Sequence, residues 1–173
     1  FNSGFGYDWI NYHDIYLSLQ HDSIFRYFAF EEPGFVFLMN LGVFFGILFP
    51  LFMGLVSILN YGMIYSFCSR LRSPTLAFFI VFSFLGYTPL ISAPRQSVAM
   101  CFALLACVNL FYNNRRGRFF VYSLLATLFH FTAILLIVIY ALSKVKKDSL
   151  NKVIFISSVG VLFFLSVFTF AAY

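Results

Sequence analysis

With 173 residues, 62% of them apolar, 23% aromatic and only 10% charged, the chain has too little polar surface to cover a soluble globule of its size. A lipid solvent is the economical explanation, and it predicts an all-α, polytopic helical membrane protein. The net charge of +5 sits in short loops between apolar runs rather than along one polar face, which points to membrane orientation signals and away from nucleic acid as a partner.

The charges divide the chain. Residues 33–69, 73–94, 96–114, 119–143 and 153–173 carry none, and the shortest of these intervals, 96–114, holds 19 residues. That is enough to cross a hydrocarbon core of ~30 Å at ~1.5 Å per residue. Phe1 stands where an initiator Met would, and the apolar run still continues at Tyr173, so the sequence reads as a piece of a longer chain. Cys68, Cys101 and Cys107 lie in or beside apolar runs with no CxxC spacing, which disfavours a disulfide or metal framework.

In chain order, residues 1–34 form the main polar region and hold Asp8, Asp14, Asp22, Glu31 and Glu32. They are expected at a membrane surface. Tyr7 to Leu19 suits an interfacial helix with Asp8, Tyr12 and Tyr16 on one face and its aromatic rings at the headgroup level. Glu32-Pro33-Gly34 starts a new element, since Pro fits a first helical turn and carboxylates are favoured just before it. Residues 35–69 are too long for one simple span, and Pro50 with Gly42, Gly46 and Gly54 predicts a break near Phe49. The expected pattern is a short dipping helix over 34–48 and spans at 50–69, 74–92, 96–113 and 153–173, with 119–143 as a special case.

Orientation follows from the preference of short-loop Lys and Arg for the cytoplasm. If 119–143 crosses once, Arg70, Arg72, Arg115, Arg116 and Arg118 lie inside and the remaining basic residues outside. If it enters and returns, Lys144, Lys146, Lys147 and Lys152 join the inner side, leaving Arg26 and Arg95 outside. The second arrangement obeys the rule better, so 119–143 is expected to be a broken, re-entrant pair of half-helices turning near His130. A single tilted span is the alternative. Either way the acidic N-terminal region and Arg95 fall on the same outer side.

Four groups could carry chemistry. Arg95-Gln96 follows Pro94 at a helix mouth, where a guanidinium and helix N-terminal amides suit a diphosphate; the alternative is an Arg snorkelling to lipid headgroups. Glu32 is a candidate general base, because its neighbour Glu31 and partial desolvation both raise the cost of ionisation; complementing the helix dipole ahead of Pro33 explains it equally simply. Asp8 and Tyr12 could bind sugar hydroxyls or assist the base, or merely decorate an exposed interfacial helix. His130 lies between apolar segments, and an ionisable group at membrane depth is a candidate site; a neutral His bonded to a backbone carbonyl at a helix break, which Thr132 could relieve, is the structural alternative. Asp14, Asp22, His13 and His21 are read as solvated.

Together, Gly6-Tyr7-Asp8-Trp9-x-Asn11-Tyr12, Glu32-Pro33-Gly34-Phe35, Arg95-Gln96-Ser97-Val98-Ala99 and Ala126-x-x-Phe129-His130-Phe131-Thr132-Ala133 resemble the EpsG-type family of bacterial polysaccharide polymerases, which includes O-antigen polymerases. The resemblance implies a multi-pass glycosyltransferase of the bacterial inner membrane. Such enzymes join oligosaccharide repeat units carried on undecaprenyl diphosphate, on the periplasmic side, with membrane lipids around them and a chain-length regulator as a further partner. Family members are usually longer. Their His is commonly followed by a basic or polar residue, whereas Phe131 stands here.

A sugar hydroxyl needs deprotonation as it attacks C1, and the departing diphosphate needs fixed cations. No DxD motif is present. The expected chemistry is therefore transfer without a metal or other cofactor: Glu32 as base, Asp8, Tyr12 and His130 positioning sugar or orienting the base, Arg95 and Gln96 at the diphosphate. A transporter or flippase, a membrane O-acyltransferase using His130, and a structural membrane subunit remain as alternatives. Internal repeats would mark the first of these.

Overall fold

The computed structural model describes residues 7–28, 31–85 and 93–144. Among them the structure is all-α, with no strand. The chain divides into two compact units, Phe1–Ile134 and Leu135–Tyr173. The first holds α1 (Tyr7–Ser18), α2 (Ile24–Tyr27), α3 (Pro33–Phe44), α4 (Phe49–Cys68), α5 (Pro74–Leu85), α6 (Pro94–Phe111) and α7 (Arg116–Phe129). A 3₁₀ turn over Phe131–Leu135 follows, and the described part of the second unit holds α8 (Leu136–Ser143), an apolar helix.

Proline punctuates the helix starts: Pro33, Pro50, Pro74 and Pro94 each fall in the first turn of a helix, where the missing N–H costs nothing and the fixed φ suits the helix. The break expected near Phe49 is a four-residue hinge between α3 and α4, over 45–48. Gly46 supplies its positive φ of 65°, a conformation open to Gly without a Cβ penalty. Asn114, with φ 50°, does the same between α6 and α7; Asn tolerates this region better than most residues. The helix expected over 74–92 is described as far as Leu85, and the span expected over 153–173 lies outside the described residues.

Among the described residues two helices are long and apolar enough to cross a membrane, Phe49–Cys68 and Pro94–Phe111. At ~1.5 Å per residue the 20 residues of α4 reach ~30 Å, the thickness of a hydrocarbon core. The outward face of α4 exposes Leu51, Leu55, Ile58 and Leu59, α5 exposes Leu76, Phe79 and Ile80, and α7 exposes Val121 and Leu124. This many large apolar side chains exposed on three helices call for a lipid or protein cover. Between α4 and α6 a polar bridge is set among buried apolar residues such as Val56, Ile64, Val98 and Leu105. Asn60 Nδ2 donates to Ser97 Oγ at 2.8 Å, and Ser97 Oγ donates to Pro94 O at 2.8 Å, so a buried side-chain bridge ties the two long helices just below the first turn of α6. Such interhelical bonds have few competitors in an apolar solvent.

The helix expected over Tyr7 to Leu19 is present as α1, but Tyr12 and Tyr16 are packed inside the protein rather than lying on its surface. Tyr12 and Tyr16 are each 1% exposed. Tyr12 packs edge-on to Phe35, Tyr16 lies against Phe49 and Phe52, and Tyr16 OH donates to Ile47 O at 2.7 Å. Gly42 makes this approach possible, since a Cβ there would stand 2.6 Å from Tyr16 Oη. The aromatic face of α1 is thus part of the core, because burying rings against rings outweighs leaving them at a surface.

Candidate functional site

Three chain segments bring their ends together. Glu32 is the N-cap of α3, Arg95 is in the first turn of α6, and His130 is the C-cap of α7. The Glu32 side chain makes no capping bond to α3, so dipole complementation by hydrogen bonding does not account for it. Its Oε2 instead accepts from Arg95 Nη1, and its Oε1 lies 3.0 Å from His130 Nδ1. Arg95 Nη1 also donates to Glu31 Oε2. Behind the guanidinium, Arg95 Cζ sits 5.0 Å from the centroid of the Tyr12 ring, a cation–π distance. Tyr12, Glu31, Glu32, Arg95 and His130 are therefore one cluster, drawn from across the first unit. Arg95 is accordingly not a snorkelling side chain; it is tied to two carboxylates.

The local fold explains the convergence. At His130 the backbone turns extended (φ −161°, ψ 120°), with His130 N still donating to Ala126 O at 2.9 Å and Ala133 N donating to His130 O at 3.0 Å. The break expected near His130 is there, without Pro or Gly. Gly34, in the first turn of α3, lets that helix touch the end of α7: a Cβ would meet Leu128 O at 2.8 Å and Phe129 Cδ2 at 3.1 Å. Because Leu128 O is backbone, the clash has no easy relief. Gly34→Ala is expected to push the start of α3 away from α7, lengthen the Glu32–His130 contact and lower activity at least tenfold at unchanged expression. Cross-linking of a Cys pair placed at positions 32 and 130 measures the separation directly; equal cross-linking yields with Gly and Ala at 34 would refute the close-approach argument.

The electrostatics reverse one expectation. Burial pushes the Glu32 carboxyl up, but the His130 hydrogen bond and the Arg95 charge outweigh it and hold the pKa below its ordinary value of 4.5. The neighbouring carboxylate fails to raise it because Arg95 stands between the pair. Glu32 is therefore ionised at neutral pH and can only accept hydrogen bonds. His130 Nδ1 must then carry the shared proton, and in a neutral imidazole Nε2 is left as an acceptor. This is the geometry of an oriented base.

Other expected residues fall differently. Gln96 is half-buried in the first turn of α6 and makes no side-chain hydrogen bond among the described residues. Asp8 lies in the first turn of α1, its side chain outside the described set. His13 is not simply solvated: it stacks on Trp9 and meets Phe49 edge-on. Asp22 is likewise engaged, its Oδ2 accepting from Arg26 Nη1 and Tyr27 Oη at 3.0 Å each. The Asp22-to-Arg26 spacing of i, i+4 was the available signal. Glu31, considered only as a neighbour of Glu32, is a direct partner of Arg95. Among the described residues no three of His, Cys, Asp and Glu group as metal ligands would.

Fold and site together define a helical membrane protein whose helix ends converge on a half-buried carboxylate, guanidinium and imidazole. A family model described as the EpsG family matches residues 1–173, the whole chain, and the chain belongs to that family, one associated with polysaccharide biosynthesis. No curated protein and no solved structure matches the chain significantly.

Proposed function

We propose that the protein is a repeat-unit polymerase: a metal-independent, multi-pass glycosyltransferase of the bacterial inner membrane that joins undecaprenyl-diphosphate-linked oligosaccharides on the periplasmic side, building an O-antigen or exopolysaccharide. The observation that carries this reading is the placement of Glu32 between Arg95 and His130, which sets an oriented base beside a fixed cation. Proton acceptance and stabilisation of a departing diphosphate are the two demands of glycosyl transfer from such a donor.

In this reading His130 Nε2 takes the proton of the acceptor hydroxyl as its oxygen bonds to C1 of the donor sugar. The bond from C1 to the diphosphate oxygen breaks with its electron pair, and the carrier diphosphate leaves as an anion. Glu32 orients the imidazole and balances its developing charge, as a carboxylate does behind a catalytic histidine. Both ion pairs of Arg95 use Nη1, and Tyr12 takes a further side-chain hydrogen bond; a guanidinium carries five N–H donors in a planar fork, so Arg95 can hold these partners and still meet a diphosphate oxygen. Gln96, one residue on, is a second donor to that group. Tyr12 backs the guanidinium, and Asp8 is assigned to binding the sugar or assisting the base on the sequence reading alone. Surrounding lipids and a chain-length regulator are the partners this role requires, and a re-entrant 119–143 would keep His130 on the periplasmic side.

The test is reconstitution. Full-length protein in lipid nanodiscs, given undecaprenyl-diphosphate-linked repeat units, is expected to yield a ladder of longer glycans on a gel, with release of undecaprenyl diphosphate, and the ladder should persist in EDTA. Transfer of an acyl group from an acyl donor, with no ladder, would overturn the polymerase reading in favour of an O-acyltransferase.

A further inference from the structure

Beside the ion cluster, and sharing Glu31 with it, lies an open groove of about 460 Å³. One wall is a face of α1: Asn11, Ile15 and Ser18 fall at i, i+4 and i+7 and so point the same way. The opposite wall comes from the turn into α2 and the approach to α3, with Asp22, Tyr27 and Glu31. The volume lies within the range of small-ligand sites.

The chemistry of this lining is selective. Asp22 is paired with Arg26, and Glu31 shares Arg95 with Glu32, so each carboxylate at the groove has a cation partner and the excess of carboxylate over guanidinium disfavours an anion. What remains is an amide (Asn11), a hydroxyl (Ser18), a phenol ring (Tyr27) and a carboxylate whose two described bonds both fall on Oδ2, leaving the Oδ1 lone pairs of Asp22 for a donor. Mixed neutral donors and acceptors beside a half-buried aromatic ring suit a polyhydroxylated, uncharged ligand. Because Glu31 belongs both to the groove and to the Arg95 cluster, a molecule lying in the groove has one end at the reacting groups.

We infer that this groove binds the acceptor glycan, holding the non-reducing sugars of the incoming repeat unit so that a terminal hydroxyl is delivered to the Glu32–His130 pair. The assignment rests on the polymerase reading for its reaction, but glycan binding is separable from catalysis. Asn11→Ala removes an exposed amide from α1 that makes no hydrogen bond to the rest of the described chain, so it leaves the fold alone; Tyr27→Phe keeps the ring and removes the hydroxyl.

The experiment measures two things with the full-length protein in nanodiscs. The first is binding of the repeat-unit oligosaccharide, released from its lipid by mild acid and taken from the strain that carries the gene, followed by saturation-transfer NMR. The second is polymer formation from lipid-linked units at varied acceptor concentration. Asn11→Ala and Tyr27→Phe are each expected to weaken glycan binding and raise the acceptor KM about tenfold, the worth of one good hydrogen bond to a ligand, with kcat little changed. Arg95→Lys is expected to bind the free glycan like wild type. Wild-type protein that fails to bind the released unit, or variants that bind it and polymerise with unaltered KM, would overturn the groove assignment and leave the polymerase standing. Asn11-dependent glycan binding with no polymer formed would retain the groove and remove the polymerase.

Discussion

Arg95→Lys is expected to keep the protein folded and inserted while lowering long-chain polymer by about 10²–10³-fold, the usual cost of losing one well-placed transition-state donor. The ion pairs make this substitution informative. Arg95 contacts both Glu31 and Glu32 through a single nitrogen, Nη1, so an ammonium can still sit between the two carboxylates and hold α6 against the start of α3. What Lys lacks is the fork that engages a diphosphate while those contacts persist. Arg95→Ala, in contrast, leaves two half-buried carboxylates side by side without their cation, and lower protein levels are expected as well as lost activity. The comparison is made in cells lacking the native polymerase, reading long-chain against single-unit glycan on a gel at matched protein levels. Near-normal chains from Arg95→Lys would make Arg95 a purely structural tie and remove it from the diphosphate.

Glu32→Gln tests the other half of the cluster. The amide has the shape of the carboxylate but can neither balance an imidazolium nor dictate which ring nitrogen carries the proton. A loss of about 10²–10⁴-fold in kcat is expected, by analogy with neutralising the carboxylate behind a catalytic histidine, with the acceptor KM unchanged. An equal loss shared between kcat and KM would place Glu32 in binding instead. The same variant has a stability signature. Glu32 has a folded pKa below its ordinary 4.5, so its interactions contribute fully above about pH 4.5, and that contribution is lost as pH falls through the lower folded value. Thermal unfolding in detergent from pH 7 to 3 is expected to show a steeper acid-side fall for wild type than for Glu32→Gln. Coincident curves would mean that the Arg95 and His130 contacts of Glu32 add no stability.

The sequence alone determined the class of solvent and the punctuation of the chain. Composition excluded a soluble globule, prolines placed the starts of α3, α4 and α6, and the polar break inside an apolar run located the interruption at His130. These are local properties: propensity, turn chemistry and hydropathy act over a few residues and are legible one segment at a time. The candidate residues Tyr12, Glu32, Arg95 and His130 were legible as well, through their residue types and settings.

What the tertiary structure decided was partnership. Arg95 meets Glu31 and Glu32 across more than sixty positions of chain, and His130 meets Glu32 across 98; no periodicity in a sequence encodes pairings of that separation. The direction of the Glu32 pKa depended on them too, since a neighbouring carboxylate raises it only until a guanidinium is placed between the two. Tyr12 and Tyr16 looked like surface rings because α1 is polar overall, and they became core because Gly42 opens room on α3 for that face of α1. Gly34 carries the same lesson: its sequence signal was a helix start, and its structural role is to let two backbones approach closely enough for a carboxylate and an imidazole to share a proton.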